Sequence, residues 1–258
     1  MKSSVPQPRS PQRPRGYHER MSAALTRDSE LKGRSDTSGP APAARRLTAD
    51  ARRRQLFDVS LALFAEHGYA ATTMDEIAEA AGVTKPLVYQ HFDSKRALYL
   101  ELMDGISRQL VTRIVEATAT AGGPRQQVER GFAAYFELMV QNEHAFRLIY
   151  GRDAPDDLEL GAALRRVEET LAQAIDPLID AGLDPEHRLL LAHSVVGMAE
   201  GASRHWLDSS RRQNGTGPTG DPGGGTGSSA DVRRSEAARL ASRLADFAWA
   251  GLRQVHRI

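Results

Sequence analysis

The sequence predicts an all-α fold, and three observations lead to it. After about residue 47 the chain is rich in Ala, Leu, Arg and Glu, which favour helices. Its apolar residues recur at spacings of three and four, whereas the alternation of period two that indicates strands is scarce. Glycines at positions 68, 82 and 122–123 fall between these periodic segments and therefore mark helix ends.

Composition limits the possible classes of protein. The chain has 258 residues, of which 40% are hydrophobic, so it can bury a real core. It has no cysteine, which excludes disulfides, thiolate zinc sites and thiol redox switches and favours a reducing compartment. The first ten residues lack the apolar stretch of a secretory signal, and no run approaches the roughly 18 apolar residues of a membrane span. We therefore expect a cytoplasmic protein that does not contact a membrane.

Two segments lack helical periodicity. Residues 1–46 are rich in Pro, Ser, Arg and Gly and are predicted to form a disordered basic arm. Residues 1–54 contain 13 lysines and arginines against 5 aspartates and glutamates, so the arm either contacts phosphates or is a solvated tail. Residues 209–234 include a Gly-rich run and are predicted to form a flexible insertion.

Local signals then place each helix in order. A first helix over 49–67 ends at Gly68, and the Thr73–Glu76 capping box begins a short second helix that Gly82 ends. Thr84 caps a third helix that tolerates Pro86 in its first turn, and Ser94 caps a longer fourth helix over 95–119. Further helices are predicted at 125–142, 143–151, 158–181, 185–208 and 235–256.

The second and third helices have the dimensions of a helix-turn-helix. A tight turn at Gly82 separates them, and Ile77, Ala81, Val83 and Val88 have the spacing of core residues. The third helix would then present its other face outward, as a DNA-reading helix does. We assign this domain to residues 47–104 and a second, helical domain to 105–258.

The segment "LALFAEHGYAATTMDEIAEAAGVTKPLVYQHFDSKRALYLEL" resembles the tetracycline-repressor (TetR) family of bacterial regulators over about residues 53–102. The resemblance implies an N-terminal DNA-binding domain and a C-terminal domain that binds a small ligand and dimerises through its last two long helices. It also implies DNA contacts near the start and along the exposed face of the third helix. The predicted DNA-binding residues are Thr72, Thr73, Thr84, Lys85, Pro86, Leu87, Tyr89, Gln90, His91 and Lys95.

The chemistry of these side chains suits the role. Lys85 can donate to guanine or to a phosphate, Tyr89 and His91 can donate to phosphate oxygens, and Lys95 at a helix start suits an anion. A solvated Lys85 or a packing role for Tyr89 remains the alternative, whereas Phe92 is predicted to be core. Residues 48–95 hold 5 lysines and arginines against 7 acids. Binding would therefore depend on placed contacts and on the basic arm.

The C-terminal domain offers a candidate ligand pocket. Aromatic and flexible apolar residues are concentrated after residue 131, and core packing explains them as well as a pocket does. Arg147 would either meet an anionic head group or be ion-paired. The predicted pocket residues are Phe132, Tyr135, Phe136, Met139, Phe146, Arg147, Tyr150 and Trp206.

A candidate dimer interface follows from the last two long helices. Two glycines one turn apart in a helix suggest close approach of a partner helix or a ligand, and an apolar stripe in the last helix requires a packing partner. That partner is either a second subunit or the same chain. The predicted interface residues are Gly197, Gly201, Leu240, Leu244, Ala248 and Leu252.

These observations predict a ligand-released repressor that acts as a homodimer on a near-palindromic operator. The alternatives are an activator or ligand-enhanced DNA binder of the same fold, and a helical ligand-binding or scaffolding protein without DNA function. The effector is expected to be a small hydrophobic or acyl-type molecule. We expect no enzymatic activity, cofactor or metal, since no phosphate loop or nucleophile elbow is present and His187, His193 and His205 lack chelating spacing.

Overall fold

A computed structural model describes residues 47–151, 158–179, 182–215 and 229–255. The chain divides into two compact units, 1–54 and 55–258. In the first unit the described residues begin helix α1, where the Thr48 hydroxyl accepts a hydrogen bond from the Ala51 amide at 3.2 Å. The predicted arm at 1–46 lies outside the described residues.

The all-α prediction is confirmed for the described part of the chain. Its helices are α1 (Ala49–Ala71), α2 (Met74–Ala80), α3 (Lys85–His91), α4 (Lys95–Ala119), α5 (Pro124–Gln141), α6 (Glu143–Tyr150), α7 (Leu158–Ile175) with a 3-10 turn (Asp176–Leu178), α8 (Pro185–Gly215) and α9 (Ser229–Leu252).

The caps and turns of the first four helices follow the sequence closely. Gly68 takes a left-handed φ of 81° and interrupts α1, which continues for one more short turn. Thr73 and Glu76 form the predicted capping box, with each side chain bonded to the other residue's amide. Gly82 has φ 64° in the turn between α2 and α3, and the Ser94 hydroxyl accepts from the Ala97 amide at 3.0 Å.

Four predicted bounds in the C-terminal domain were wrong, including the end of α9, which lies at Leu252 rather than at 256. α7 ends at Ile175 rather than at 181, because Pro177 lacks the amide hydrogen that would continue the helix and instead lies in the 3-10 turn. α8 continues to Gly215, because residues 209–214 contain neither glycine nor proline. α9 begins at Ser229, so the predicted insertion at 209–234 is shorter than expected, and residues 216–228 lie outside the described residues.

Helix packing in the C-terminal domain centres on α5. α9 packs mainly along α5, and α4 packs against both α5 and α7. The face of α9 toward α5 is a row of buried alanines, Ala237, Ala241, Ala245 and Ala248, whose small side chains allow close approach.

The helix-turn-helix has its own buried residues. Ile77, Val88 and Leu98 are fully buried, and Phe92 is 2% exposed, as predicted. The Phe57 and Phe92 rings meet edge to face at 5.2 Å. None of the described helices combines the length and apolar character that crossing a lipid bilayer requires.

Candidate DNA-reading face and ligand cavity

The DNA-reading face is built on α3. Val88 anchors this helix in the core, and the turn at Gly82 sets its start. Lys85, Pro86, Tyr89 and Gln90 are therefore exposed together, with Tyr89 44% exposed. Leu87 and His91 are half-buried. Thr84 is exposed at the N-cap position, but its hydroxyl forms no capping hydrogen bond there.

Lys85 is already engaged by a residue of α2. Its ammonium donates to the Asp75 carboxylate at 2.7 Å, and both side chains are exposed. This hydrogen bond raises the pKa of Lys85 above its usual value. The residue therefore remains a cation at neutral pH, and a new anion must compete with Asp75 for it.

Two residues that were predicted to contact DNA, Thr72 and Lys95, instead form hydrogen bonds within the protein. Thr72 is fully buried, and its hydroxyl donates to the Gly68 carbonyl at 2.9 Å, so it cannot reach DNA in this conformation. Lys95 donates to the carbonyls of Tyr69 at 2.8 Å and Thr72 at 2.7 Å. These carbonyls lie at the end of α1, so Lys95 joins the start of α4 to that end rather than offering an anion site.

Thr73 is exposed, but its hydroxyl is occupied by the capping box. It accepts from the Glu76 amide at 3.2 Å and donates to the Glu76 carboxylate at 3.0 Å. The Thr73 amide also donates to that carboxylate, and this bond lowers the pKa of Glu76. Thr73 thus fixes the start of α2, which carries Asp75.

A cavity of about 320 Å³ lies among the helices of the C-terminal domain. Its size is at the lower end of small-molecule sites. α4, α5, α7, α8, α9 and the segment after α9 all contribute to its wall. Its lining residues include Ile114, Thr118, Gln127, Phe132, Tyr135, Ala199, Trp249, Leu252 and Arg253, together with Pro124 at the start of α5.

Only two of the eight predicted pocket residues line this cavity, namely Phe132 and Tyr135. The other six lie outside its wall, in the core beside it or at an ion pair. Phe136, Met139 and Phe146 have no exposed surface, and Tyr150 and Trp206 are also buried. Arg147 is ion-paired with Glu143 of the preceding turn at 2.5 Å.

The sequence reasoning missed most of the aliphatic wall and Trp249. Ile114 and Ala199 come from helices without an aromatic cluster, and the pocket was predicted from such a cluster. Trp249 belongs to the helix that was interpreted only as an interface. The available signal was its position as the one tryptophan in α9.

The two hydroxyl groups in the cavity wall, those of Tyr135 and Thr118, are already hydrogen-bonded to protein groups. The hydroxyls of Tyr135 and Ser203 lie 3.1 Å apart in a buried hydrogen bond. Burial raises the pKa of Tyr135 well above its usual value, so it stays neutral. The Thr118 hydroxyl donates to the Ile114 carbonyl at 2.8 Å.

Comparison with known proteins shows which family this chain belongs to. The profile of the family "bacterial regulatory proteins, tetR family" matches residues 56–102. The HTH-type transcriptional activator FasR of Mycolicibacterium smegmatis is 32% identical over 189 residues, which cover 72% of this chain and 86% of FasR. The chain belongs to the tetR family.

Members of the family that are similar to this chain include repressors as well as an activator. The probable acrEF/envCD operon repressor of Escherichia coli is 35% identical over 179 residues, covering 64% of this chain and 80% of that protein. The structure of FadR from Bacillus subtilis in complex with stearoyl-CoA has a TM-score of 0.55 and 16% identity, covering 72% of this chain and 96% of FadR. At that identity the likeness shows the fold alone.

This tetR-family protein is a DNA-binding transcriptional regulator. The family consists of transcriptional regulators, and its helix-turn-helix coincides with the segment that carries the α3 face. Operator DNA is therefore its partner.

The predicted dimer residues fall into two groups. A Cβ added at Gly197 or Gly201 would meet nothing within 4 Å in the described chain, so neither glycine forms a pocket wall. Leu240 and Leu244 are half-buried against the core. Ala248 and Leu252 were wrong as interface residues, because Ala248 is buried within the subunit and Leu252 lines the cavity. The sequence reasoning missed Phe247, which is 69% exposed on α9.

Proposed function

We propose that this regulator binds a near-palindromic operator as a homodimer and releases it when an acyl-type effector fills the cavity. The observation that carries the proposal is the course of α4. This helix takes part in the core of the helix-turn-helix at one end and in the cavity wall at the other.

The two ends of α4 are well defined. At its start, Tyr99 is buried and meets the ring of Phe64 edge to face at 5.5 Å. At its far end, Ile114 and Thr118 line the cavity. The helix has 25 residues and spans about 37 Å. A ligand that displaces Ile114 therefore moves a rigid rod whose other end is joined to α1 by Lys95.

Release of the operator then follows if the effector has different affinities for two arrangements of α4. An effector that binds one arrangement of α4 more tightly than the other shifts the population toward it. If that arrangement separates the two α3 helices incorrectly, operator affinity falls by the same coupling free energy.

On DNA, the α3 helices of the two subunits would enter successive major grooves about 34 Å apart. Lys85 and Tyr89 lie on the face that would meet the bases and phosphates. Gln90 can read an adenine edge, and His91 is placed to donate to a phosphate.

The exposed faces of α8 and α9 support the dimer. Leu190 on α8 is 62% exposed, and Phe247 on α9 is exposed to a similar extent. Gly197 and Gly201 leave α8 without side chains where another helix can approach closely. A four-helix interface across a two-fold axis would cover these surfaces.

Repression is our first assignment for the effect on transcription. Activation is a second candidate, because the alignment with the activator FasR covers 72% of this chain and that with the E. coli repressor covers 64%. A promoter fused to a reporter in cells with and without the regulator distinguishes them by the sign of the change.

The effector class is supported by the aliphatic and aromatic lining of the cavity. The stearoyl-CoA complex of FadR, which has the same fold, shows that an acyl ligand can occur in this architecture.

DNA binding is tested by a gel shift with DNA that flanks the gene for this regulator. We expect wild-type protein to shift a specific fragment. Lys85→Ala combined with Tyr89→Phe should weaken this shift by at least about tenfold, since bidentate and charge-assisted contacts are lost. Arg166→Ala, on an exposed position of α7, is the control that should retain it. Equal binding by the α3 double variant would contradict the proposal.

The dimer is tested by sedimentation. We expect Phe247→Arg to convert dimers into folded monomers, because it places a charge in the proposed interface. Val115→Arg, at an apolar position of α4 that is 46% exposed, is the matched control and should stay dimeric. A Phe247→Arg protein that remains dimeric would show that subunits meet elsewhere.

A further inference from the structure

We infer that the cavity selects an acyl chain of about ten non-hydrogen atoms that ends in an anionic group, and that Arg253 in the cavity mouth binds this group. The inference rests on the proposed effector site and specifies its ligand. The anion is either the carboxylate of a free fatty acid or the phosphate of an acyl-CoA.

The mouth of the cavity is where its exposed lining residues lie, namely Pro124 and Arg253. Pro124 is the first residue of α5, whose N-terminal end adds positive potential. No aspartate or glutamate is among the described lining residues. The field at the mouth therefore favours an anion over a cation.

Arg253 is a cation without a described counter-ion. Its amide donates to the Trp249 carbonyl, and its guanidinium forms no ion pair with the described residues. By contrast, Arg125, which follows Pro124, is held by Glu129 at 2.9 Å and by Asp246 at 3.2 Å. Arg253 is thus the arginine of this region that is free to take a ligand.

The interior cannot hold a charged head group. Its walls are mainly aliphatic and aromatic, and the hydroxyls of Tyr135 and Thr118 are committed to protein partners. A buried charge without a partner would carry a large desolvation cost. The ligand must therefore insert its apolar end first and leave its head at the mouth.

The volume of the cavity limits the length of the chain. If each non-hydrogen atom takes roughly 30 Å³, the share of one water molecule in the liquid, then 320 Å³ holds about ten such atoms. Each methylene buried up to that length adds favourable transfer free energy. A longer chain must displace a wall or leave methylenes outside.

The test uses Trp249 as its reporter, since it lines the cavity. The chain has two tryptophans, so Trp206→Phe leaves Trp249 as the single fluorophore. Full-length protein is titrated with saturated fatty acids of six to sixteen carbons, with the matching alcohols and with the matching acyl-CoAs. We expect affinity to rise to about ten carbons and then level off, with the anionic ligands at least about tenfold tighter than the alcohols.

Two variants test whether Arg253 binds the anionic group. Arg253→Gln should weaken binding of the anionic ligands about tenfold and leave the alcohols unchanged. Arg243→Gln, at an exposed position of α9, should change neither. Comparison of the free acids with the acyl-CoAs shows whether a carboxylate or a phosphate binds more tightly. Either result supports the inference if Arg253→Gln removes the advantage of the anionic ligand over the alcohol.

Equal binding of acids and alcohols would overturn the inference, as would an equal loss of both in Arg253→Gln, which would indicate a structural role. A protein that shifts DNA but binds none of the probes also overturns it and leaves the DNA-binding proposal intact. A protein that binds the probes but no DNA would contradict the proposed function instead.

Discussion

At the scale of single residues, the contact between Lys85 and Asp75 defines how the reading face works. The pair is exposed, so it adds little to stability. We propose that its effect falls on DNA binding, because a phosphate or a guanine would have to replace Asp75 as the partner of Lys85. The displaced carboxylate then faces the DNA backbone, which repels it. Non-specific DNA offers less compensation for this repulsion than a well-matched site does.

We predict that Asp75→Asn increases affinity for non-specific DNA about two- to fivefold, the equivalent of one exposed ion pair. The gain should shrink at high salt. Fluorescence anisotropy with labelled random-sequence DNA measures it. Asp104→Asn, whose carboxylate pairs with Arg108 on α4, is the matched control and should show no gain. Unchanged affinity in Asp75→Asn would mean that the pair does not oppose DNA.

The residue scale also shows a limit of sequence reasoning. Lys85 and Tyr89 could be placed on the reading face, because helical periodicity alone decides which side of α3 is exposed. The hydrogen bonds of the Thr72 and Lys95 side chains could not be predicted, because both are made to carbonyls at the end of α1. The Tyr69 and Thr72 carbonyls that Lys95 binds lie just after the interruption at Gly68, and their position relative to α4 is a tertiary feature.

At the scale of elements, the contact between α7 and α8 carries an unfavourable charge. Burial, and then repulsion by Glu200 of α8, raise the pKa of Glu168 above its usual value. An acid with a raised pKa binds its proton more tightly in the folded state. Its contribution to stability is therefore full at acid pH and is lost as pH rises through the folded-state pKa.

We accordingly predict that Glu168→Gln raises the melting temperature at about pH 7 and leaves it unchanged at about pH 4. Thermal unfolding followed by circular dichroism measures both. Glu116→Gln, an exposed acid on α4, is the control for loss of a carboxylate in general. A lower melting temperature for Glu168→Gln at neutral pH would show that attraction to Arg204 outweighs the burial.

The elements divide clearly into those that the sequence predicts and those that it does not. The bounds of α2, α3 and α4 could be predicted from Thr73, Gly82 and Ser94, because caps and turns act within a few residues. The exposed side of α9 could not be predicted. The stripe of Ala237, Ala241 and Ala248 has the spacing of any packed face, and only the tertiary packing of α5 against it shows that Phe247 is the side left exposed.

At the scale of the whole molecule, charge is distributed unevenly. Residues 55–258 hold 21 lysines and arginines against 28 acids, whereas residues 1–54 are strongly basic. We propose that operator binding combines a few placed donors on α3 with a non-specific attraction from the basic residues of the arm at 1–46.

We predict that removing residues 1–44 weakens operator binding and flattens its salt dependence. Each phosphate contact that is lost reduces the slope of log K against log salt by about 0.9. Binding isotherms at several salt concentrations measure the slope for both proteins. The same slope in the truncated protein would show that the arm is a solvated tail.

The central claim is that α3, through Lys85 and Tyr89, reads a two-fold symmetric DNA site. Selection of genomic fragments with the purified full-length protein, followed by footprinting, tests it most directly. We predict one protected near-palindrome with half-sites centred about one helical turn, or a multiple of it, apart, and loss of protection in the Lys85→Ala, Tyr89→Phe protein. Enrichment of no sequence, or an identical footprint from the double variant, would contradict it.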